Sequence, residues 1–200
     1  MGTVAGPLAP LLRAERPLLN LLQRASGIAT ATHAYVGEVT GTAARILHTR
    51  KTAPGLRLLD VAGVLAGGGA VHRLDLAHAV LVKDNHWRAL ATQGKTLRSA
   101  LAQARAQGAD ALQVEVESEA QLQAACQAGA TRLLLDNQSP ETVRRWAAVA
   151  RDLAPGIEIE ATGGITLENV RAYALAGADF ISVGALTHSV KAADIALELG

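Results

Sequence analysis

Residues 107–136, QGADALQVEVESEAQLQAACQAGATRLLLD, decide how this chain folds. The run Ala111-Leu112-Gln113-Val114-Glu115-Val116 is short, β-rich and largely apolar, and Arg132-Leu133-Leu134-Leu135-Asp136 repeats the pattern. Between them Glu119 to Ala128 reads as helix, ended by Gly129 where a left-handed residue closes a last turn. A helical connection brings the second strand back parallel to the first, whereas a hairpin would need only a few residues. The punctuation recurs: Gln107-Gly108-Ala109-Asp110, Ala128-Gly129-Ala130-Thr131 and Ala176-Gly177-Ala178-Asp179 each precede a strand. Stacked βα units are therefore expected.

Outward from this core, strands are predicted at 45–49, 79–83, 111–116, 132–136, 157–162 and 180–184, with helices at 97–107, 119–128, 141–153, 167–176 and a closing helix at 191–199. Ser139-Pro140-Glu141 is a helix start, with Ser139 as cap and Pro140 at the first helical position, where its missing N–H costs nothing. Residues 13–43 read as helical, with Leu18, Leu19, Leu21 and Leu22 as an apolar surface and a break at Ser26-Gly27. The Gly- and Pro-rich residues 1–12 read as a linker. The fold class is α/β: a β/α barrel of six to seven strands, TIM-like, closed or open, preceded by N-terminal helices.

Composition excludes several functions. The 19 basic and 18 acidic residues nearly cancel, so no global field draws the chain to nucleic acid or an anionic membrane, and an aromatic content of 2% removes base-stacking platforms. No apolar run approaches the ~20 residues needed to span a bilayer, and no signal peptide is evident, so a cytoplasmic protein is expected. The single Cys126 falls in a helical run and reads as a small buried hydrophobe. The six histidines lack zinc-ligand spacing.

Chemistry gathers where the apolar runs end. Thr49-Arg50-Lys51-Thr52, Lys83-Asp84-Asn85-His86, Glu115, Asp136-Asn137, Thr162-Gly163-Gly164 and Gly184 all close strands, so all point to one rim. Arg50, Lys51, His72, Arg73 and Lys83 together suit a highly anionic ligand in a chain with little net charge. Thr162-Gly163-Gly164 and the run from Gly184 to His188 lie between strand and helix and offer backbone N–H groups to a phosphate. Glu115 and Asp136 end neighbouring strands and suit sugar hydroxyls or Mg²⁺, with Glu117 and Glu160 also available; Glu160 reads equally as a buried acid paired inside the barrel. Gly67-Gly68-Gly69 permits a close backbone approach.

These motifs, in this order, resemble the quinolinate phosphoribosyltransferase family over residues 15–200. The matching segments are Glu15-Arg16 and Asn20, Ser26-Gly27-Ile28-Ala29-Thr30, the run from Thr49 to Arg57, Gly67-Gly68-Gly69 with His72-Arg73-Leu74, Lys83-Asp84-Asn85-His86, Val114-Glu115-Val116-Glu117, Leu135-Asp136-Asn137, Thr162-Gly163-Gly164-Ile165 and the run from Ser182 to Ser189. Departures are Thr162 where serine is common, Gln113 where an acid often stands and Pro17 where threonine is frequent.

The resemblance implies transfer of phosphoribose from phosphoribosyl pyrophosphate to quinolinate, with decarboxylation to nicotinate mononucleotide. It further implies that Thr49, Arg50, Lys51, His72 and Arg73 hold the quinolinate carboxylates and that Lys51 and Lys83 face the pyrophosphate. Glu115 and Asp136 would contact ribose and Mg²⁺, directly or through water, and Thr162, Gly163, Gly164, Gly184 and His188 the 5′-phosphate. Lys51, Lys83, Glu115 and Asp136 are the expected catalytic set. A homo-oligomer, dimer or hexamer, is expected. Family members carry a further N-terminal α/β domain that supplies an arginine to a neighbour's site, so residues 1–14 read as its linker and 15–200 as the barrel domain. Three alternatives stand beside this. Molybdenum-transport-associated relatives lack the Lys-Asp-Asn-His and Glu-Val-Glu segments. A non-catalytic anion-binding barrel would keep the cations without turnover. A generic phosphate barrel does not explain Arg50 together with His72-Arg73.

Overall fold

In a computed structural model describing residues 2–73 and 79–199, six parallel strands hydrogen-bond in the order β1-β6-β5-β4-β3-β2. They are β1 (Arg45–Leu47), β2 (Val80–Val82), β3 (Leu112–Val116), β4 (Arg132–Asp136), β5 (Glu158–Thr162) and β6 (Phe180–Ser182). The helices are α1 (Leu8–Glu38), α2 (Arg57–Ala66), α3 (Asp84–Thr92), α4 (Leu97–Ala106), α5 (Glu119–Ala128), α6 (Pro140–Leu153), α7 (Val170–Leu175) and α8 (Ala185–His188). Leu74, within one of the matching motifs, lies outside the described residues.

The strands have two buried faces of opposite character. Leu112, Val114 and Val116 on β3, Leu133 and Leu135 on β4, Ile159 and Ala161 on β5 and Ile181 on β6 join the core shared with the helices. Burying each large aliphatic side chain contributes roughly 1.5–3 kcal/mol. The alternate positions face inward and are mostly polar: Gln113 pairs in register with Arg132, Leu134 with Glu160, and Thr162 with Ser182.

Next to β1, Ala70 forms a parallel bridge with Leu47, and its N–H donates to Ile46 O at 2.8 Å, giving a seventh strand position. Among the described residues no strand pairing joins this segment to β2. Arg73 reaches across the seam, donating from Nη1 to Ala79 O at 3.2 Å. Among the described residues, the expected barrel of six to seven strands is therefore a curled parallel sheet with no backbone bond across one seam.

Local signals hold where they are sharp. Ser139 accepts from Thr142 N at 3.2 Å with Pro140 opening α6, and Gly108, Gly129 and Gly177 take φ of 90, 84 and 98° after their helices. Cys126 is a buried free thiol in α5.

Four expectations are corrected. α1 is one continuous helix and not two: Gly27 is no break, because its missing side chain admits Lys191 O, 2.1 Å from where a Cβ would sit. The presumed linker 1–12 is helical from Leu8. Leu18, Leu21 and Leu22 are exposed, with only Leu19 of that group buried. The closing helix 191–199 is absent: the segment lies against α1 without regular structure, where Gln23 O accepts from Ala193 N at 2.9 Å and Gln23 Nε2 donates to Ile195 O at 2.8 Å. Helices α2 and α3 were not anticipated; α3 is short and packs on the core only through the partly buried Trp87 and Leu90.

The Gly67–69 approach is made to α1, not to a ligand. A Cβ on Gly67 would stand 2.4 Å from Ala29 O and 2.6 Å from Thr32 Cβ. Gly67→Ala should lower stability by on the order of 1–3 kcal/mol in urea unfolding. Gly37→Ala, in α1 with nothing within 4 Å, should instead raise it by up to about 1 kcal/mol.

Candidate active site

The loop leaving β1 is held from beneath. Asp60 of α2 is fully buried and takes a two-pronged bond from Arg24 of α1, Nε to Oδ1 at 2.7 Å and Nη2 to Oδ2 at 2.8 Å. Asp60 Oδ2 also accepts from Ala53 N at 3.2 Å, and Arg24 Nη2 donates to Thr187 O at 2.9 Å. One ion pair thus fixes the loop through residues 49–53 against α1, α2 and α8. Within the loop, Thr49 Oγ1 accepts from Lys51 N at 3.2 Å.

His48, fully buried, joins two strand ends. Its Nδ1–H donates to Thr49 O, and its Nε2 accepts from His72 N, both at 3.2 Å. A single neutral tautomer satisfies both bonds. Burial pushes this imidazole below its ordinary value, with the bond to Thr49 O opposing in part.

After β2, Lys83 Nζ donates to Glu115 Oε2 at the end of β3. The first turn of α3 braces both partners: Lys83 N donates to His86 Nδ1 and Trp87 Nε1 donates to Glu115 O, each at 3.0 Å. After β4, Asp136 Oδ2 accepts from Asn137 Nδ2 at 2.8 Å, and Asn137 adopts a positive φ of 52°. Asn137 N donates to Thr162 O at 2.9 Å, and the positive φ of Gly163 lets the two loops meet, since a Cβ there would lie 2.3 Å from Asn137 Oδ1.

These ends surround a cavity of about 610 Å³, within the range of small-molecule sites. Its wall brings together Thr49, Arg50, Lys51, His72, Arg73, Lys83, Glu115, Asp136, Thr162, Gly163 and Gly164, with Leu81 and Leu134 as an apolar face and Asn137, Glu160 and Ser182 completing it. Three predicted residues, Gly184, His188 and Glu117, stand off the wall. His188 is exposed, bonded through Nδ1 to Ser189 Oγ at 2.7 Å, and its Nε2 lies 2.9 Å from where a Cβ on Gly184 would sit. Glu117 also lies away, its N–H donating to Gln121 Oε1 at 2.8 Å.

The floor is charged. Glu160 is fully buried and accepts from Ser182 Oγ at 2.6 Å, His72 Nε2 at 3.2 Å and Arg132 Nη1 at 3.3 Å. Burial alone would lift its carboxyl, but the bonds from His72 and Ser182 and the charges of His72 and Arg132 outweigh that and hold it low. Arg73 is 8% exposed; burial, then the charge of Arg50, draw its guanidinium below the ordinary value, opposed by Glu160. Arg50 Nε is buried without a partner. Dehydrated, crowded cations favour an arriving anion.

Sequence reading missed His48 as a linker of the two cation-bearing segments. Its only signal was a histidine ending an apolar strand beside Thr49-Arg50-Lys51.

A curled parallel sheet with a cation-rich cavity at its C-terminal strand ends is a β/α-barrel protein of the kind that binds its ligand in the loops after the strands. The chain belongs to the quinolinate phosphoribosyl transferase C-terminal domain family, matching it over residues 28–198. A probable nicotinate-nucleotide pyrophosphorylase (carboxylating) of Bacillus subtilis (strain 168) is 44% identical over 195 residues, which is 97% of this chain and 65% of the relative. The human nicotinate-nucleotide pyrophosphorylase (carboxylating) is 43% identical over 201 residues, covering 98% of this chain and 66% of its own. The NadC structure from Streptococcus pyogenes superposes with a TM-score of 0.83 at 38% identity, covering 94% of this chain and 65% of that one. The chain thus spans slightly less than two thirds of the length of these relatives.

The low His48 value has a signed consequence. The unfolded chain takes up this proton first as pH falls, so the contribution is complete above the ordinary histidine value of about 6.5 and declines below it, at no more than about 1.4 kcal/mol per pH unit. Urea midpoints at about pH 7.5 and about pH 5.5 should show a smaller acid loss in His48→Gln than in the parent. Equal losses would show that His48 does not bind its proton more weakly on folding.

Proposed function

We propose that this chain carries the phosphoribosyl-transfer site of a quinolinate phosphoribosyltransferase, forming nicotinate mononucleotide, pyrophosphate and CO₂ from phosphoribosyl pyrophosphate and quinolinate. The observation that carries the reading is the convergence of Arg50, Lys51, His72, Arg73 and Lys83 with Glu115 and Asp136 on one cavity. Two of the relatives named above are themselves called nicotinate-nucleotide pyrophosphorylase (carboxylating).

Arg50, His72 and Arg73, with Thr49 and Lys51, bind the two quinolinate carboxylates, and the Leu81 and Leu134 face suits the flat ring between them. Lys51 and Lys83 receive the pyrophosphate. Asp136 and Glu115 accept from the ribose hydroxyls, and the backbone N–H groups of Thr162, Gly163 and Gly164 hold the 5′-phosphate, with Gly184 and His188 beside them. The pyridine nitrogen takes the bond at the sugar carbon as the C–O bond to pyrophosphate breaks. The electron pair left on the ring as CO₂ departs is stabilised by the new pyridinium and then protonated. No side chain acts as nucleophile, so fixed charge and positioning supply the acceleration.

Among the described residues no three His, Cys, Asp or Glu side chains converge as a metal cage. Asp136 and Glu115 nevertheless offer hard oxygens on one wall, with Glu115 already bonded to Lys83, and this fits a Mg²⁺ that keeps phosphate and water as most of its ligands. Bound there, Mg²⁺ would neutralise charge on the departing pyrophosphate.

Residues 15–200 form the barrel domain in this reading, working in a homo-oligomer, dimer or hexamer. Exposed Leu8, Leu12, Leu18 and Leu22 along α1 supply apolar surface for such contacts. A cytoplasmic location goes with this metabolic role, and no helix among the described residues is long and apolar enough to cross a membrane.

The test is release of pyrophosphate and nicotinate mononucleotide from the two substrates with Mg²⁺. Arg73→Ala, shown to be folded, should lower kcat/KM for quinolinate at least about a hundredfold. Absence of turnover in the folded parent chain would overturn the enzyme reading and leave an anion-binding barrel.

A further inference from the structure

Two carboxylates share the Arg132 guanidinium, the half-exposed Glu158 and the fully buried Glu160. Arg132 is bound closely by Glu158, Nε and Nη2 each 2.8 Å from Oε2, and more loosely by Glu160 at 3.3 Å. Arg132 also stacks on the Phe180 ring, 3.9 Å from its centre, which keeps it at the barrel floor. Glu160 is thus left with negative charge that Arg132 does not cancel, and it is fully buried, where water cannot screen it.

Above it stand the cations of the cavity. His72 Nε2 lies 3.2 Å from Glu160 Oε1, Arg73 is buried within the field of both Arg50 and Glu160, and Arg50 Nε is buried without a partner. Like charges gathered out of water repel strongly, and without a compensating anion such a group would spread apart or draw in solvent.

We propose that Glu160 is a positioning residue: an internal counter-anion, beneath the cavity, that holds Arg50, His72 and Arg73 together before the anionic substrate arrives. It acts through these cations and does not itself contact the reacting atoms. The inference rests on the proposed function, in which the same three residues bind the quinolinate carboxylates. Its first test needs no turnover.

Glu160→Gln keeps the shape and an acceptor oxygen but removes the charge. If Glu160 balances the cations, the variant melts lower than the parent in chloride and is restored by sulfate at equal ionic strength, while the parent gains little. A residue needed only for its hydrogen bonds would give the same sulfate response in both proteins, and that result overturns the proposal. Should the variant not fold in chloride, folding recovered by sulfate supports the proposal and failure to recover overturns it. A second variant gives an independent reading: adding Arg50→Gln to Glu160→Gln removes one surplus cation and should raise the melting temperature above that of Glu160→Gln alone, whereas a further fall overturns the idea.

In turnover, Glu160→Gln should raise KM for quinolinate at least about tenfold while KM for phosphoribosyl pyrophosphate moves less than about twofold. Equal rises in both would overturn the assignment to the carboxylate subsite. A parent chain without turnover would end the functional reading and leave the sulfate comparison intact.

Discussion

The bond between Arg24 and Asp60 is the contact on which the rest of this structure depends. It lies between the first two helices, and each partner also bonds to a segment that reaches the cavity: Asp60 to Ala53, Arg24 to Thr187. A buried ion pair adds little net stability once desolvation is counted, yet removing one partner typically costs about 3–5 kcal/mol because the other is left buried and alone. Its value here is geometric. The two-pronged arrangement sets where α1 crosses α2, and so where the loop with Arg50 and Lys51 starts. Gly63 and Gly67 allow the same crossing by leaving room for Ala25 O and Ala29 O.

Around that brace the strands separate two kinds of burial. Outward positions hold Leu, Val and Ile against the helices, and inward positions hold Glu, Arg, Gln and Ser. A barrel this small encloses its polar side chains, so each must find a partner inside. Glu160, Arg132, Ser182 and His72 do so among themselves, while Gln113 Oε1 is left buried without one. The functional wall is thus the upper end of an interior polar network, and the scaffold and the site share residues.

Much of this was legible in the sequence because parallel strands buried on both faces leave a plain trace. Residues 132–136 coincide with β4, and the glycines ending α4, α5 and α7 mark the joints. The cavity was legible for the same reason, since polar groups at the ends of apolar runs must share a rim. Period and composition failed where tertiary contacts decide. The tail 191–199 is Ala- and Leu-rich enough for a helix, but Ala193 N and Ile195 O bond instead to Gln23 of α1. Gly27 looked like a stop, and it is a contact point. α3 is only nine residues long, and its Trp87 and Leu90 at helical spacing were too short a signal to announce it. His48 was hidden because its role is a bond to a backbone N–H 24 residues away, which no local pattern records.

The tail on α1 has a consequence for how the chain reaches this state. Gln23 and Ile195 are separated by 172 positions, so the clasp between them forms only when the chain through Ile195 is available. Contacts of such range are slow to form, because the intervening chain must first be confined. During synthesis, α1 would stand without this clasp until residues 193–195 emerge, and the sheet, with β1 pairing to β6, would likewise wait for β6. Helix α1 and the segment at 193–195 are thereby joined late, at the residue next to Arg24, which carries the brace of the cavity loop.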